Sequence, residues 1–143
     1  MKLAEAMNEK NRLKKEIAAL REKLELAAQG KAAPEENPKK NLLKLEETLR
    51  RQETLAAAVY RTNDRILADG KSLTRVIYSR DTMFFRLELY KKLIALAGEA
   101  ENPSLSGLSI SELEGKAEKA KERIRYLSSL IQKTNWTEDL MEE

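Results

Sequence analysis

A few polar residues that interrupt the hydrophobic repeat are the side chains best suited to binding chemistry. Asn63 and Arg80 occupy positions where the repeat predicts an apolar residue. An arginine guanidinium offers a forked set of donors to a carboxylate or phosphate, and the adjacent Asp81 offers an acceptor. Trp136 would supply an apolar wall. Together these residues predict a small pocket for an anionic or peptide ligand.

We expect this pocket at one end of a helical bundle, because antiparallel helices bring sequence-distant segments together there. The predicted polar cluster comprises Thr62, Asn63, Thr74, Arg80, Asp81, Asn135 and Trp136. A polar residue in a hydrophobic seam also fixes helix register and partner number. A lone tryptophan just past a helix can equally plug the end of a bundle. The sequence therefore leaves a ligand site and a register device open as interpretations.

The chain lacks the residues on which most nucleophilic and zinc chemistry depends. It contains no histidine and no cysteine. A Ser-His-Asp arrangement, a thiolate nucleophile and a zinc site are therefore excluded for this chain alone. Acidic pairs such as Glu46-Glu47 are typical of solvated helix faces, and no seam has the carboxylate pattern of a di-iron site. The sequence predicts no metal and no cofactor, and favours a protein that is not an enzyme.

Composition favours long helices in a single domain. Charged residues make up 36% of the 143 residues, aromatic residues 5%, and glycine and proline are scarce. Leu, Ala, Glu, Lys and Arg dominate, which is typical of helical bundles and coiled coils. No secretory signal and no membrane-spanning run is evident. We therefore expect one domain over residues 1–143, located in the cytoplasm and without a membrane partner.

Four segments place apolar residues at alternating intervals of three and four, which predicts four heptad-patterned helices. Their expected bounds are about 3–28, 38–68, 72–97 and 110–134. Short connections make sequential helices antiparallel, so the predicted fold class is all-α, an antiparallel bundle of four long helices. The seam of the second helix should comprise Leu42, Leu45, Leu49, Gln52, Ala56, Val59, Asn63 and Ile66. That of the fourth should comprise Leu113, Ala117, Ala120, Ile124, Leu127, Ile131 and Thr134.

Local signals mark where these helices begin and end. Gly30 is typical of a helix C-terminus, and Asn37-Pro38 is typical of a cap followed by a first turn. Asp69-Gly70 predicts a turn. Residues 98–108 predict a loop, and Ser109-Ile110-Ser111-Glu112 fits a capping box.

The third helix differs from the others because it is apolar on two faces. One face includes Leu73 and Ile77, and the other carries Tyr78, Phe85, Leu89 and Leu96. A helix of this kind is either central in its bundle or shared with another subunit. We therefore predict a homo-oligomer whose interface is formed by Tyr78, Phe85, Leu89 and Leu96.

Basic runs raise nucleic acid as another partner. Lysines and arginines are frequent on the second and third helices, and such runs can track phosphates. Glu46, Glu47 and Glu53 interrupt the run on the second helix. Ordinary surface solubility therefore explains these charges better than phosphate binding does.

Five short motifs occur in order along nearly the whole chain. They are Lys2-Leu3-Ala4-Glu5-Ala6, Arg61-Thr62-Asn63, Asp69-Gly70-Lys71-Ser72-Leu73-Thr74, Ser79-Arg80-Asp81 and Ile131-Gln132-Lys133-Thr134-Asn135-Trp136. In this order they resemble a family of small bacterial proteins often labelled septicolysin. The resemblance implies a helical protein of uncharacterised function and carries over no catalytic residue. The label suggests a cytolysin, but a pore former needs secretion and a lipid-facing apolar segment, and the sequence shows neither.

Three hypotheses follow from the sequence. The first is a self-associating structural or interaction module that uses the third helix. The second is a module, or an enzyme, that binds a small anion or peptide at the polar cluster. The third is a nucleic-acid binder.

Overall fold

The computed structural model describes residues 1–102 and 106–142. In that part of the chain the helices are α1 (Leu3–Ala28), α2 (Pro38–Arg65), α3 (Leu73–Glu99) and α4 (Ile110–Thr137). Strands β1 (Leu67–Ala68) and β2 (Lys71–Ser72) form a short antiparallel hairpin between α2 and α3. The predicted all-α class with four long helices is confirmed. None of the described helices is both long and apolar enough to cross a membrane.

Helix α1 ends in a Schellman motif, as Gly30 indicated. Gly30 has a φ of +74°, in the left-handed region that glycine tolerates best. The Gly30 amide donates to the carbonyl of Ala27, and the Lys31 amide donates to the carbonyl of Leu26 at 2.9 Å. These two bonds satisfy carbonyls that the helix itself leaves without a donor.

The side chains that cap α2, α3 and α4 are short polar residues. Asn37 accepts a hydrogen bond from the amide of Lys40, with Pro38 in the first turn as predicted. Ser72 accepts from the amide of Arg75 at the start of α3. Ser109 accepts from the amide of Glu112, which is the serine half of the predicted capping box. Each cap satisfies one of the amides that begin a helix.

Helix α2 ends three residues earlier than expected, because the chain enters a hairpin. The turn at Asp69-Gly70 is confirmed, with φ values of +54° and +76°. Two residues with positive φ form the type I′ turn that matches the twist of paired strands. The hairpin is closed by a hydrogen bond from the Leu73 amide to the Ile66 carbonyl. Hairpin pairing therefore replaces the last helical turn that periodicity predicted.

The connection after α3 also differs from the predicted loop. Gly98 lies within α3, which extends to Glu99. Residues 103–105 of the predicted loop, and residue 143, lie outside the described residues.

The chain divides into two compact units. The first comprises Met1–Asp64 together with the segment from Asn135 onwards, and the second comprises Arg65–Thr134. The second unit is therefore an insertion between two parts of the first. The expectation of one domain over residues 1–143 stays a prediction.

In the first unit, α1 and α2 run antiparallel. Ion pairs link Glu9 to Arg51 at 3.2 Å and Glu16 to Lys44 at 3.5 Å. Residue numbers thus rise along α1 as they fall along α2. The buried residues of this helix pair are mostly small or aliphatic: Leu3, Ala4, Ala6, Leu13, Leu20, Thr48, Ala58, Val59 and Thr62.

The buried face of α2 agrees with the predicted seam in part, since Val59 is buried and Leu45, Gln52, Ala56 and Asn63 are half-buried. Leu42 and Leu49 are 47% and 44% exposed, whereas Thr48 and Thr62 are buried. A threonine hydroxyl in a helix can donate to the carbonyl four residues earlier, which satisfies its hydrogen-bonding capacity. Both threonines do so, at 2.7 Å. They therefore pack as nearly apolar residues, each one position before a predicted seam residue, Leu49 or Asn63.

In the second unit, the seam of α4 is confirmed. Six of its seven predicted positions are buried, and Ile124 is half-buried. Leu73, Val76 and Ala97 of α3 are also buried, as are Ile66, just before the hairpin, and Ala68 within β1. Asp69 of the turn accepts a hydrogen bond from the Tyr126 hydroxyl at 3.0 Å, which joins the hairpin to α4.

Candidate interaction surface

One side of α3 exposes a row of large apolar residues. Tyr78 is 70% exposed, Phe85 66%, Leu89 41% and Leu96 54%. These positions are spaced by seven, four and seven residues, so they share one side of the helix. Eighteen residues at 1.5 Å each give the stripe a length of about 27 Å. We call these four residues the α3 stripe.

The stripe is distinct from the side of α3 that contributes to the core. Leu73 and Val76 are buried near the start of the helix, and Ala97 is buried near its end. Phe84, 49% exposed, widens the stripe. Monomeric proteins seldom expose large contiguous apolar patches, and such patches often mark interaction sites.

Charged residues of both signs flank the stripe. Asp81, Arg86, Glu88, Lys91 and Lys92 are all exposed on α3. An apolar centre surrounded by a polar rim is the usual anatomy of a protein interface. The arrangement on α3 therefore fits a docking surface better than a ligand cavity.

The residues of the predicted polar cluster are divided between the two units. Thr62, Asn63, Asn135 and Trp136 belong to the first unit. The remaining three, Thr74, Arg80 and Asp81, belong to the second. The cluster as a whole therefore stays a prediction, and each part is described within its own unit.

In the second unit, Arg80 and Asp81 form an ion pair. Two guanidinium nitrogens of Arg80 lie 3.3 and 3.4 Å from the same oxygen of Asp81. Arg80 is partly buried and Asp81 is exposed. Thr74 lies nearly two turns before Arg80 on α3 and is half-buried. This pair is long compared with the 2.7–2.9 Å of a strong charge-assisted hydrogen bond.

In the first unit, Thr62 holds the C-terminal segment. Its side chain is fully buried, and its Oγ1 accepts a hydrogen bond from the Met141 amide at 2.8 Å. The same hydroxyl donates to the Ala58 carbonyl. The Thr62 hydroxyl is therefore satisfied both as a donor and as an acceptor, and its place in the predicted polar cluster stays a prediction.

Other first-unit residues of the cluster differ widely in exposure. Asn63 and Asn135 are half-buried, whereas Trp136 is 54% exposed at the end of α4. A side chain with half of its surface in water does not fill a core. The end-plug interpretation of Trp136 is therefore not supported, although its exposed ring could contact a partner.

The C-terminal strap, residues 138–142, was missed by sequence reasoning. Its backbone pairs with the start of α1: the Leu3 amide donates to the Glu138 carbonyl, and the Leu140 amide donates to the Met1 carbonyl, both at 2.9 Å. Lys2 adds an ion pair to Asp139 at 2.9 Å. Lys2 lowers the pKa of the Asp139 carboxyl below its usual range, by hydrogen bonding and by its charge. The apolar Leu140 within an acidic tail was the signal that could have indicated this contact.

An open groove of about 910 Å³ lies between α1 and α2 in the first unit. Leu13, Ala58 and Leu140 contribute apolar surface, and arginines and glutamates contribute charged surface. Arg12 lowers the pKa of the Glu9 carboxyl by hydrogen bonding and by its charge, and Arg51 adds a smaller effect of the same sign. Charges in the groove therefore neutralise one another in part, which makes it a weak candidate for binding a small anion.

Comparison with known proteins places the chain in a family. A model described as "Family of unknown function (DUF6847)" matches residues 10–140. The chain belongs to this family. Its fold is similar to that of a solved structure, a functionally unknown conserved protein from Corynebacterium diphtheriae. That protein is 27% identical, the match covers 99% of each chain, and the TM-score is 0.88.

No curated protein matches the chain. The expectation of a family without assigned function is confirmed, but the septicolysin label is not supported. Family membership thus supplies the fold and no activity. Any function has to be argued from the surfaces described above.

Proposed function

We propose that this protein is a non-enzymatic helical interaction module that self-associates through the α3 stripe. The observation that supports this proposal is the exposure of Tyr78, Phe85, Leu89 and Leu96 on a helix that also contributes to a core. Covering such side chains removes apolar surface from water, at roughly 25 cal/mol for each Å². A second copy of the chain offers the same stripe, as a symmetric dimer requires.

The dimensions of the stripe set the expected strength of association. A stripe about 27 Å long on a helix about 10 Å wide projects onto roughly 270 Å². A standard stable interface buries about 800 Å² on each partner. The flanking residues must therefore take part, and we expect an assembly that is reversible and depends on protein concentration.

Substitution of the stripe tests the proposal. In the Phe85→Gln and Leu89→Gln double variant, the apolar centre of the stripe is removed without changing charge. Sedimentation velocity over a hundredfold range of concentration should show a larger species for the unmodified chain and a monomer for the variant. Because the substituted side chains are exposed, far-UV circular dichroism should remain unchanged.

A matched control uses exposed leucines of the first unit. Leu43 and Leu49 are 67% and 44% exposed on α2, close to the values for Phe85 and Leu89. The Leu43→Gln and Leu49→Gln double variant should associate as the unmodified chain does. A monomeric unmodified chain at every concentration, or equal loss of association in both variants, would contradict the proposal.

The partly buried Arg80 favours one alternative, a site for a small anion. Because its contacts to Asp81 are long, the Arg80 guanidinium could donate stronger hydrogen bonds to a small anion. Titration with inorganic phosphate, followed by amide chemical shifts of α3, should then show saturable changes that Arg80→Ala abolishes. Shifts that persist in Arg80→Ala would eliminate this alternative.

Nucleic-acid binding has weaker support. Lys44 and Arg51, two residues of the basic run on α2, already pair with Glu16 and Glu9. Phosphate contacts would have to compete with these ion pairs. Filter binding of DNA and RNA at low salt should therefore show no retention beyond that of a neutral control protein.

A further inference from the structure

The C-terminal strap returns the chain to the first unit after the second unit is complete. The second unit ends at Thr134, whereas residues from Asn135 onwards belong with α1 and α2. The first unit is thus closed by two separate parts of the chain.

Few contacts hold the strap in place. Three backbone amides donate the hydrogen bonds that anchor it: Leu3 to Glu138, Leu140 to Met1, and Met141 to the Thr62 hydroxyl. Its ion pair, between Lys2 and Asp139, is exposed. An exposed pair of this type contributes little to stability.

A single apolar side chain anchors the strap. Leu140 is 8% exposed, whereas Met141 is 37% exposed and Glu142 is also exposed. Segments with little buried apolar surface open locally, at a free energy well below that of global unfolding. The strap has these characteristics, whereas the helices beneath it contain the fully buried Leu3 and Leu13.

The strap also forms part of the groove between α1 and α2. Leu140 and Glu142 line the groove together with Met1, Leu13 and Ala58. Detachment would remove this wall and uncover the Thr62 hydroxyl, which is otherwise fully buried. The groove thus has a closed form and an accessible open form.

We propose that residues 138–142 form a releasable latch, whose opening uncovers Thr62 and the apolar surface of the α1–α2 groove. This inference is independent of the α3 stripe, since each contact that it requires lies within the first unit. The latch opens and closes as one segment, because its three amide hydrogen bonds share the Leu140 anchor.

Hydrogen exchange of the full chain tests the latch. The amides of Leu3, Leu140 and Met141 should exchange at closely similar protection factors. They should exchange at least tenfold faster than the amides of Leu13 and Val59 in the middle of α1 and α2. Equal protection of the strap and helix amides would overturn the proposal, since the strap would then open only with global unfolding.

Two variants separate the latch from general stability. Leu140→Asp removes the apolar anchor and should raise exchange of the strap amides at least tenfold while leaving Leu13 and Val59 unchanged. Lys2→Gln removes the exposed ion pair to Asp139 and the hydrogen bond from Lys2 Nζ to the Thr137 carbonyl, and should raise strap exchange by a smaller factor with the fold intact. Leu43→Gln, at a position of α2 that is 67% exposed and lies outside the strap and the groove lining, is the matched control and should leave the rates unchanged.

A fluorescent probe reports on the groove itself. Anilinonaphthalene sulfonate, which fluoresces in apolar surroundings, should brighten at least twofold with Leu140→Asp and remain unchanged with Leu43→Gln. If Leu140→Asp also accelerates hydrogen exchange at the amides of Leu13 and Val59, it has destabilised the whole fold. Exchange in the Lys2→Gln variant then decides whether the strap opens independently. Helix amides that respond to Lys2→Gln as strongly as the strap amides do would refute an independent latch.

Discussion

Substituting alanine for Leu13 and for Leu49 distinguishes the observed core from the one that periodicity predicts. Both leucines lie in the first unit: Leu49 belongs to the predicted seam of the second helix, and Leu13 belongs to the same three-and-four spacing in the first helix, with Ile17, Leu20 and Leu24. In the structure Leu13 is 1% exposed, whereas Leu49 has nearly half of its surface in water. The heptad repeat alone predicts equal costs for the two substitutions, and the structure predicts very different ones.

The magnitudes follow from burial. Leu13→Ala removes three fully buried carbons and leaves a cavity, which costs about 2–5 kcal/mol in protein cores. Leu49→Ala removes the same atoms from a half-exposed position that has no closed cavity. At about 0.8 kcal/mol for each buried methylene, the loss is about 1 kcal/mol, and the higher helix propensity of alanine offsets part of it.

Urea unfolding followed by circular dichroism at 222 nm measures both values on the same chain. We expect the unfolding midpoint to fall at least twice as far for Leu13→Ala as for Leu49→Ala, with similar urea dependence. Equal shifts would show that Leu49 is buried and that the orientation of α2 described above is wrong. A larger shift for Leu49→Ala would refute the assignment of the core.

Three further predictions concern the turn and the strap. Thr62→Val removes the acceptor of the Met141 amide and should reduce the free energy of unfolding by about 1–2 kcal/mol, as urea titration would show. An unchanged midpoint would contradict the role of this hydroxyl. Gly70→Ala places a Cβ at a φ of +76° and should cost about 1–2 kcal/mol, whereas Gly98→Ala within α3 should not destabilise. Because the folded protein lowers the pKa of Asp139, the unfolded chain binds that proton more readily. The contribution of Asp139 is thus complete above about pH 4 and is lost as pH falls through the lowered pKa. In the Lys2→Gln variant, the free energy of unfolding should therefore decrease less between pH 6 and pH 2 than it does in the unmodified chain. An unchanged decrease would refute the role of Lys2 in lowering the pKa of Asp139.

Local patterns in the sequence were sufficient to predict the helices and most of their ends. Alternating spacing of three and four specifies one buried side of a helix without reference to other segments. Asn37, Ser109 and Gly30 act on backbone groups only a few residues away, so their effects could also be predicted. The turn at Asp69-Gly70 is equally local, because positive φ at two successive residues depends on residue type.

Part of the candidate interaction surface was also predicted from periodicity. A second apolar side on α3 indicated that one side would lack a partner within the core, and the exposure of Tyr78 and Phe85 agrees with that expectation. The identity of the partner does not follow from spacing, since any apolar surface of suitable shape could cover the stripe. Self-association therefore stays a proposal.

Tertiary structure decided which side of α2 is buried and what role Thr62 has. Leucine spacing alone could not show that Thr48 and Thr62 bond to their own helix and pack as apolar residues. The strap depends on contacts between residues about 80 to 140 positions apart, such as Met141 to Thr62 and Leu3 to Glu138. Short-range patterns carry no information about such pairs, because their hydrogen bonds form only when the folded chain brings both segments together.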